Sequence, residues 1–226
     1  ALTVGASRTP GSVTFGGDVS AEAVTVKASA ILTAADIEAT TGGIDLDAAA
    51  LAAQRLDAAT TVTARTIGNA GTTGISSGNG LIDVRSTQGS LDLGSIDSGA
   101  GAELHAATGS VRTAAIDAVG ALRVSGPLGV TFTGDASAAS IDVDAVNGAL
   151  DVQRLTSTSG AIDLDAVGDI ETGAVLAAGA LRIGQTTKPQ DVVFRGDVSA
   201  TTVTIDAVRN VGPRPATDPA FDITAR

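Results

Sequence analysis

The chain has no cysteine, methionine, tryptophan or tyrosine, and four phenylalanines are its only aromatics. Without cysteine no disulfide can staple the fold and no thiolate can hold a soft metal, while the redox compartment stays undetermined. Without aromatic anchors, a globule of 226 residues would lack the large side chains that ordinarily fill its centre. Ala, Val, Ile and Leu must fill the interior instead, which suits a narrow core of thin, repeated layers. Basic residues are few: 14 Lys and Arg stand against 25 Asp and Glu, a net charge of −11. That balance offers no clustered cations for phosphate, so no nucleic-acid partner is expected. Long apolar runs are missing too. The longest, Ala174 to Ile183, is broken by Gly179 and Arg182, short of the roughly 18 residues that span a bilayer. No membrane insertion is expected. Ala1 is neither an initiator Met nor the start of a signal peptide, so targeting information is expected outside this stretch.

What the chain does have is repetition. A twelve-residue motif occurs three times, as Pro10 to Ala21, Pro127 to Ala138 and Pro189 to Ala200. Each copy carries Pro five residues before Phe (Phe15, Phe132, Phe194), then Gly-Asp (Gly17 and Asp18, Gly134 and Asp135, Gly196 and Asp197), then Ser-Ala. Beneath it runs a shorter period of about 20 residues. Apolar-x-apolar triplets recur as Leu2/Val4, Val24/Val26, Ile44/Leu46, Val62/Ala64, Ile82/Val84, Ala102/Leu104, Leu122/Val124, Ile141/Val143, Ile162/Leu164, Leu181/Ile183, Val203/Ile205 and Phe221/Ile223. A second column interleaves with it, from Val13/Phe15 and Leu32/Ala34 through Leu150/Val152 to Val192/Phe194. Three residues beyond most of these comes one more apolar position, as at Ile37, Leu56, Ile96, Ile116, Leu155 and Val175.

Alternation with period two means strands wetted on one face. Two or three strands per turn, with Gly, Asn or Pro at the corners, describe a parallel β-helix: an all-β solenoid of about eleven coils of 19–20 residues. Ala48 to Ala53 and Leu56 to Ala59 are rich in a strong helix former, but Leu51, Leu56 and Val62 keep the strand register, so strands are expected there. Residues 69–80 offer only Ile75 as an inward side chain and are expected to form a looser or bulged coil. The Pro-rich stretch 212–219 is expected to be a loop or rigid turn. Both ends are in register and neither carries a polar cap. Residues 1–226 are therefore expected to be one β-helix segment of a longer repetitive protein, or a rod whose ends pair with other copies.

Three outward features invite a functional reading. Asp142, Asp144, Asp163 and Asp165 place four carboxylates on adjacent coils, a set that would suit Ca²⁺ or the paired acids of a glycosidase or lyase, or a solvated face flanked by Arg123 and Arg182. No cofactor is expected beyond the Ca²⁺ that such a set would suit, and one histidine without cysteine argues against a transition-metal site. Arg195, Gly196 and Asp197 spell a cell-attachment tripeptide. The sister copies hold Gly16-Gly17-Asp18 and Thr133-Gly134-Asp135 at the same place, which makes Gly-Asp a corner of the repeat. His105 is the only histidine, and with no nucleophile–base pair in sight an enzyme is not expected.

Phrases such as Gly148-Ala-Leu-Asp-Val-Gln-Arg-Leu155 and Ser159-Gly-Ala-Ile-Asp-Leu-Asp-Ala166 resemble the central repeats of filamentous-haemagglutinin-like large exoproteins. β-Helical autotransporter passengers are similar. The resemblance covers essentially the whole chain, in period and pattern. It implies a right-handed β-helix, secretion by a two-partner or autotransporter route, and an extracellular or outer-surface place on a bacterium. The implied role is that of a rod-like scaffold, adhesin or filament segment, partnered by further coils of its own kind or by surface receptors and glycans. Two alternatives stand beside it: a polysaccharide-active β-helix using the Asp cluster, and a calcium-stabilised surface-layer or filament subunit.

Overall fold

Short segments that alternate apolar and polar residues can bury one face only if another layer covers it, and here each segment is covered by its counterparts across the coil. The computed structural model describes residues 1–213 and the strand Ile223–Ala225. Every element among them is a β-strand, and every pairing is parallel. The chain winds as a β-solenoid of eleven coils. Each coil lays one strand on an eleven-stranded sheet, sheet 1, that starts at Leu2–Val4 and ends at Thr202–Ile205. The rest of the coil builds sheet 2. In coils two to five it does so as single long strands, Ile31–Ala39, Ala50–Ala58, Ala70–Ser77 and Leu91–Ser98. From coil six onward the long strand divides in two, first as Val111–Thr113 and Ile116–Ala118. The division falls at a bend where two consecutive side chains face outward.

Register follows the sequence columns closely. Val24 pairs with Ile44, Ile44 with Val62, and so on to Leu181 with Val203. The core is a stack of Val, Ile, Leu and Ala, with Phe132 and Phe194 among its largest buried members and Phe15 half-buried. The Ala-rich segment is strand, as its register requires.

Two sequence expectations are corrected. Residues 69–80 form a regular coil: Ala70–Ser77 pairs in register with both neighbours, and Ala70, Thr72, Ile75 and Ser77 all point inward. Two of those inward residues are polar, which is why hydrophobic periodicity misses the coil. The second correction concerns the last column. Asn210–Pro213 pairs with Asp191–Phe194 and so occupies sheet 2, placing Gly212 and Pro213 in a strand where a loop was expected. The chain then reaches Ile223–Ala225 one position later, pairing Ile223 with Val198 on the far half of sheet 2. Ile223 thus belongs to the column of Leu155 and Val175, and among the described residues sheet 1 has eleven members instead of twelve. Phe221 and residues 214–219 lie outside the described residues.

The corners explain much of the composition. Where sheet 2 turns into the next coil, the last inward position is always small: Ala39, Ala58, Ser77, Ser98, Ala118, Ala138, Ser157, Ala177 and Ala200 are all buried. At three of these corners a serine hydroxyl completes a turn carbonyl. Ser77, Ser98 and Ser157 donate to the carbonyls of Gly80, Gly101 and Gly160 at 2.6, 2.7 and 2.8 Å. The buried hydroxyl therefore replaces the water that a corner carbonyl would otherwise need. Close stacking also dictates some glycines: a Cβ on Gly94 would sit 1.7 Å from the Thr73 carbonyl oxygen. The three repeat prolines lie at a corner of their own. They give no N–H, but Pro10, Pro127 and Pro189 each accept an amide from the following coil, at 2.9, 2.9 and 2.8 Å from Ser29, Asn147 and Val208.

Thr72 is the exception, a buried hydroxyl with no partner among the described residues. An unpaired buried hydroxyl costs about 1–3 kcal/mol, so Thr72→Val should stabilise the protein by roughly 1 kcal/mol. Ser98→Ala should destabilise it by a similar amount, since it strips the Gly101 carbonyl of its donor. Denaturant titration of both variants checks the pair. Equal shifts in the same direction would contradict this account of the corners.

Candidate functional site

A strand of sheet 1 alternates an inward apolar residue with an outward polar one, and parallel register then stacks the outward residues into columns. One column reads Asp83, Glu103, Arg123, Asp142, Asp163, Arg182. Its neighbour reads Arg65, Arg85, His105, Ser125, Asp144, Asp165. Adjacent members of a column lie about 4.8 Å apart, so charge order along the rod decides whether neighbours attract or repel.

Over coils three to seven they mostly attract. Arg65 pairs with Asp45 at 3.3 Å. Arg85 reaches Asp83 at 2.6 Å and Glu103 at 2.8 Å, and Arg123 lies 3.8 Å from the same glutamate. The Asp83 contact, followed by Glu103, raises the pKa of Arg85 and keeps it charged. At coils eight and nine the order fails, and four aspartates meet as two in-register pairs.

Their side chains then diverge. Asp163 turns to Arg182 at 3.2 Å. Asp165 Oδ1 accepts the backbone N–H groups of Thr186 and Thr187 at 2.9 and 3.0 Å. Those amides belong to a loop that leaves sheet 1 through Gly184, whose φ of 78° is left-handed. Asp142 and Asp144 are left without such partners, and Asp144 Oδ1 is buried with no donor. Burial first, then the charges of Asp163 and Asp165, push the Asp142 carboxyl above the usual aspartate value, with Arg123 pulling the other way. For Asp144 burial again leads, followed by Asp165 and Asp142.

Asp142 and Asp144 form one end of a cleft of about 270 Å³ lined also by Arg85, Glu103, His105 and Arg123. Among the described residues no group of three or more His, Asp or Glu has the geometry to hold a metal ion. The register brings the four aspartates together, but the partners of Asp163 and Asp165 draw their oxygens away from a common centre. The His105 imidazole makes no hydrogen bond or ion pair with any described residue, so nothing orients it as a base.

The tripeptide Arg195-Gly196-Asp197 sits elsewhere, at the bend of sheet 2. Arg195 is only 25% exposed and is held by Asp151 and, at 3.2 Å, by Glu171, two acids in register with each other. Gly196 presses on the coil before it, where a Cβ would lie 3.0 Å from the Ala174 nitrogen. Gly134 does the same against Ala115, also at 3.0 Å. The Asp197 carbonyl accepts Val175 N–H at 2.9 Å, just as the Asp135 carbonyl accepts Ile116 N–H. Gly-Asp is a structural corner in these copies, and Arg195 neutralises a local acid pair. Asp18, in the first copy, accepts Asp36 N–H on its side chain at 3.4 Å.

Because the folded state raises the pKa of Asp142 and Asp144, it holds their protons more tightly than the unfolded chain does. Their cost is fully present above the raised values and is relieved as pH falls through them towards the ordinary aspartate value. Stability should therefore rise on mild acidification. The Asp142→Asn/Asp144→Asn double variant should gain roughly 0.5–1 kcal/mol at neutral pH, a modest figure because both groups are partly solvated, and should lose that rise. Thermal melts of both proteins across the acidic range test this; parallel curves would refute it. Against family models, curated proteins and solved structures, the chain matches none.

Proposed function

We propose that the chain serves as a stiff, rod-like structural segment of a secreted or surface-displayed bacterial exoprotein, acting as a scaffold, adhesin or filament element. The observation that carries this reading is the unbroken register: eleven coils stack without one helix or inserted domain among the described residues. Such a body transmits shape along its axis, and its outward columns change charge from coil to coil while its inward ones stay mostly aliphatic. The period and phrasing that resemble filamentous-haemagglutinin-like repeats support the same role. In this reading the chain does no chemistry of its own. Its partners are further coils of the same kind, and receptors or glycans met at the surface.

At about 4.8 Å per coil, eleven coils should make a body roughly 50 Å long. Small-angle scattering should return an elongated particle of constant cross-section, and electron microscopy of the native material should show rods or fibres outside the cell. A near-spherical particle, or native protein confined to the cell interior, would defeat the proposal.

A further inference from the structure

Sheet 2 carries a feature that the rod role does not use. At its bend, where two successive side chains face outward, the surface is concave. Three adjoining hollows of about 240, 340 and 570 Å³ share lining residues, the first two through Arg55 and the last two through Ser95 and Asp97. They join into one groove that runs along the rod axis from coil one to coil eight. At about 4.8 Å per coil its length is roughly 34 Å.

Register decides what lines it. The outward column of the far half of sheet 2 reads Glu38, Asp57, Ser76, Asp97, Asp117, Ser137. Asp36 and Asp135 add carboxylates at the bend. The groove's two cations are already engaged, Arg55 with Asp57 at 2.9 Å and Arg154 near Asp135 at 3.9 Å. Asp97 and Asp117 are stacked directly on one another, and neither carboxylate bonds or pairs with any described residue. Other stacked acids on the rod have donors beside them: Asp151 and Glu171 have Arg195, Asp163 has Arg182, and Asp165, stacked on Asp144, has two loop amides. In the widest part of the groove that compensation is missing.

We propose that this groove docks an extended, lysine- or arginine-rich segment of another polypeptide. Charge complementarity selects the sign of the partner, because the carboxylates repel nucleic acid and acidic glycans. The absence of any aromatic side chain in the lining removes the platform on which a sugar ring would stack. The elongated shape selects a chain over a compact ligand: an extended peptide of about ten residues spans such a length. Hydroxyls between the acids, at Ser95 and Thr156, offer the peptide backbone hydrogen-bonding partners.

The test uses the whole chain with fluorescent octalysine and octaglutamate at low ionic strength, read by anisotropy. Octalysine should bind, octaglutamate should not, and Asp97→Asn/Asp117→Asn should weaken octalysine roughly tenfold or more. Asp45→Asn/Asp47→Asn removes the same charge from sheet 1 and should leave affinity within about twofold. Equal loss in both double variants would reduce the effect to net charge and overturn the proposal. So would no octalysine binding, or spermine binding as tightly as octalysine. Any of these failures leaves the rod reading intact, since the exchanged side chains lie outside the ladder.

Discussion

Each coil is held by amide-to-carbonyl bonds directed at the coils before and after it, and almost everything else in the structure is a consequence of that ladder. A strand in a parallel stack has no freedom to slide by one residue, because a slip would turn its apolar face to water. Once the first triplet is fixed, side chains of successive coils fall on one another in columns. A column of valines and isoleucines gains contact at every step. A column of carboxylates gains repulsion at every step. The same register that builds the core from small aliphatic side chains therefore sets the electrostatics of the surface, and the alternation of Arg with Asp or Glu over coils three to seven is the surface counterpart of the packed interior.

The narrowness of the coil accounts for the odd composition. Opposing sheets leave room for Leu, Ile or an occasional Phe at mid-strand or beside the bend, as at Leu104 and Phe132, and only for Ala, Ser or Thr at the corners. Tryptophan or tyrosine would need both more width and a partner for its polar edge. The buried serines at positions 77, 98 and 157 fit because their hydroxyls close a bond three residues onward, so the same side chain fills space and satisfies the turn.

Much of this was legible in the sequence. The sheet 1 column from Leu2 to Val203 could be read directly, because Val, Ile and Leu recurring at a fixed spacing mark the buried side of a repeated strand, and the outward residues followed from it. The failures have physical causes. Coil four was obscured because Thr72 and Ser77 stand where apolar residues were sought, and polarity alone does not reveal which way a side chain points. Ile223 was misphased because Asn210–Pro213, rich in turn residues, is nevertheless a strand. The four-aspartate set was correctly brought together by counting, but not its dissolution: whether Asp163 chooses Arg182, and Asp165 two loop amides, depends on rotamers and on a loop opened by Gly184. The groove along sheet 2 was invisible to counting, because concavity comes from the bend and not from the identity of the residues beside it.

The direction of the ladder bonds has a mechanical meaning. They run along the rod axis, so a pull on the two ends loads them in line and in sequence, one coil at a time, instead of shearing a whole sheet at once. Each coil that peels away releases roughly 60 Å of chain while its neighbours keep their pairing. A body built this way is rigid under bending, yet under tension it yields by short, repeated extensions. Each released coil can wind back onto the template its neighbour still presents.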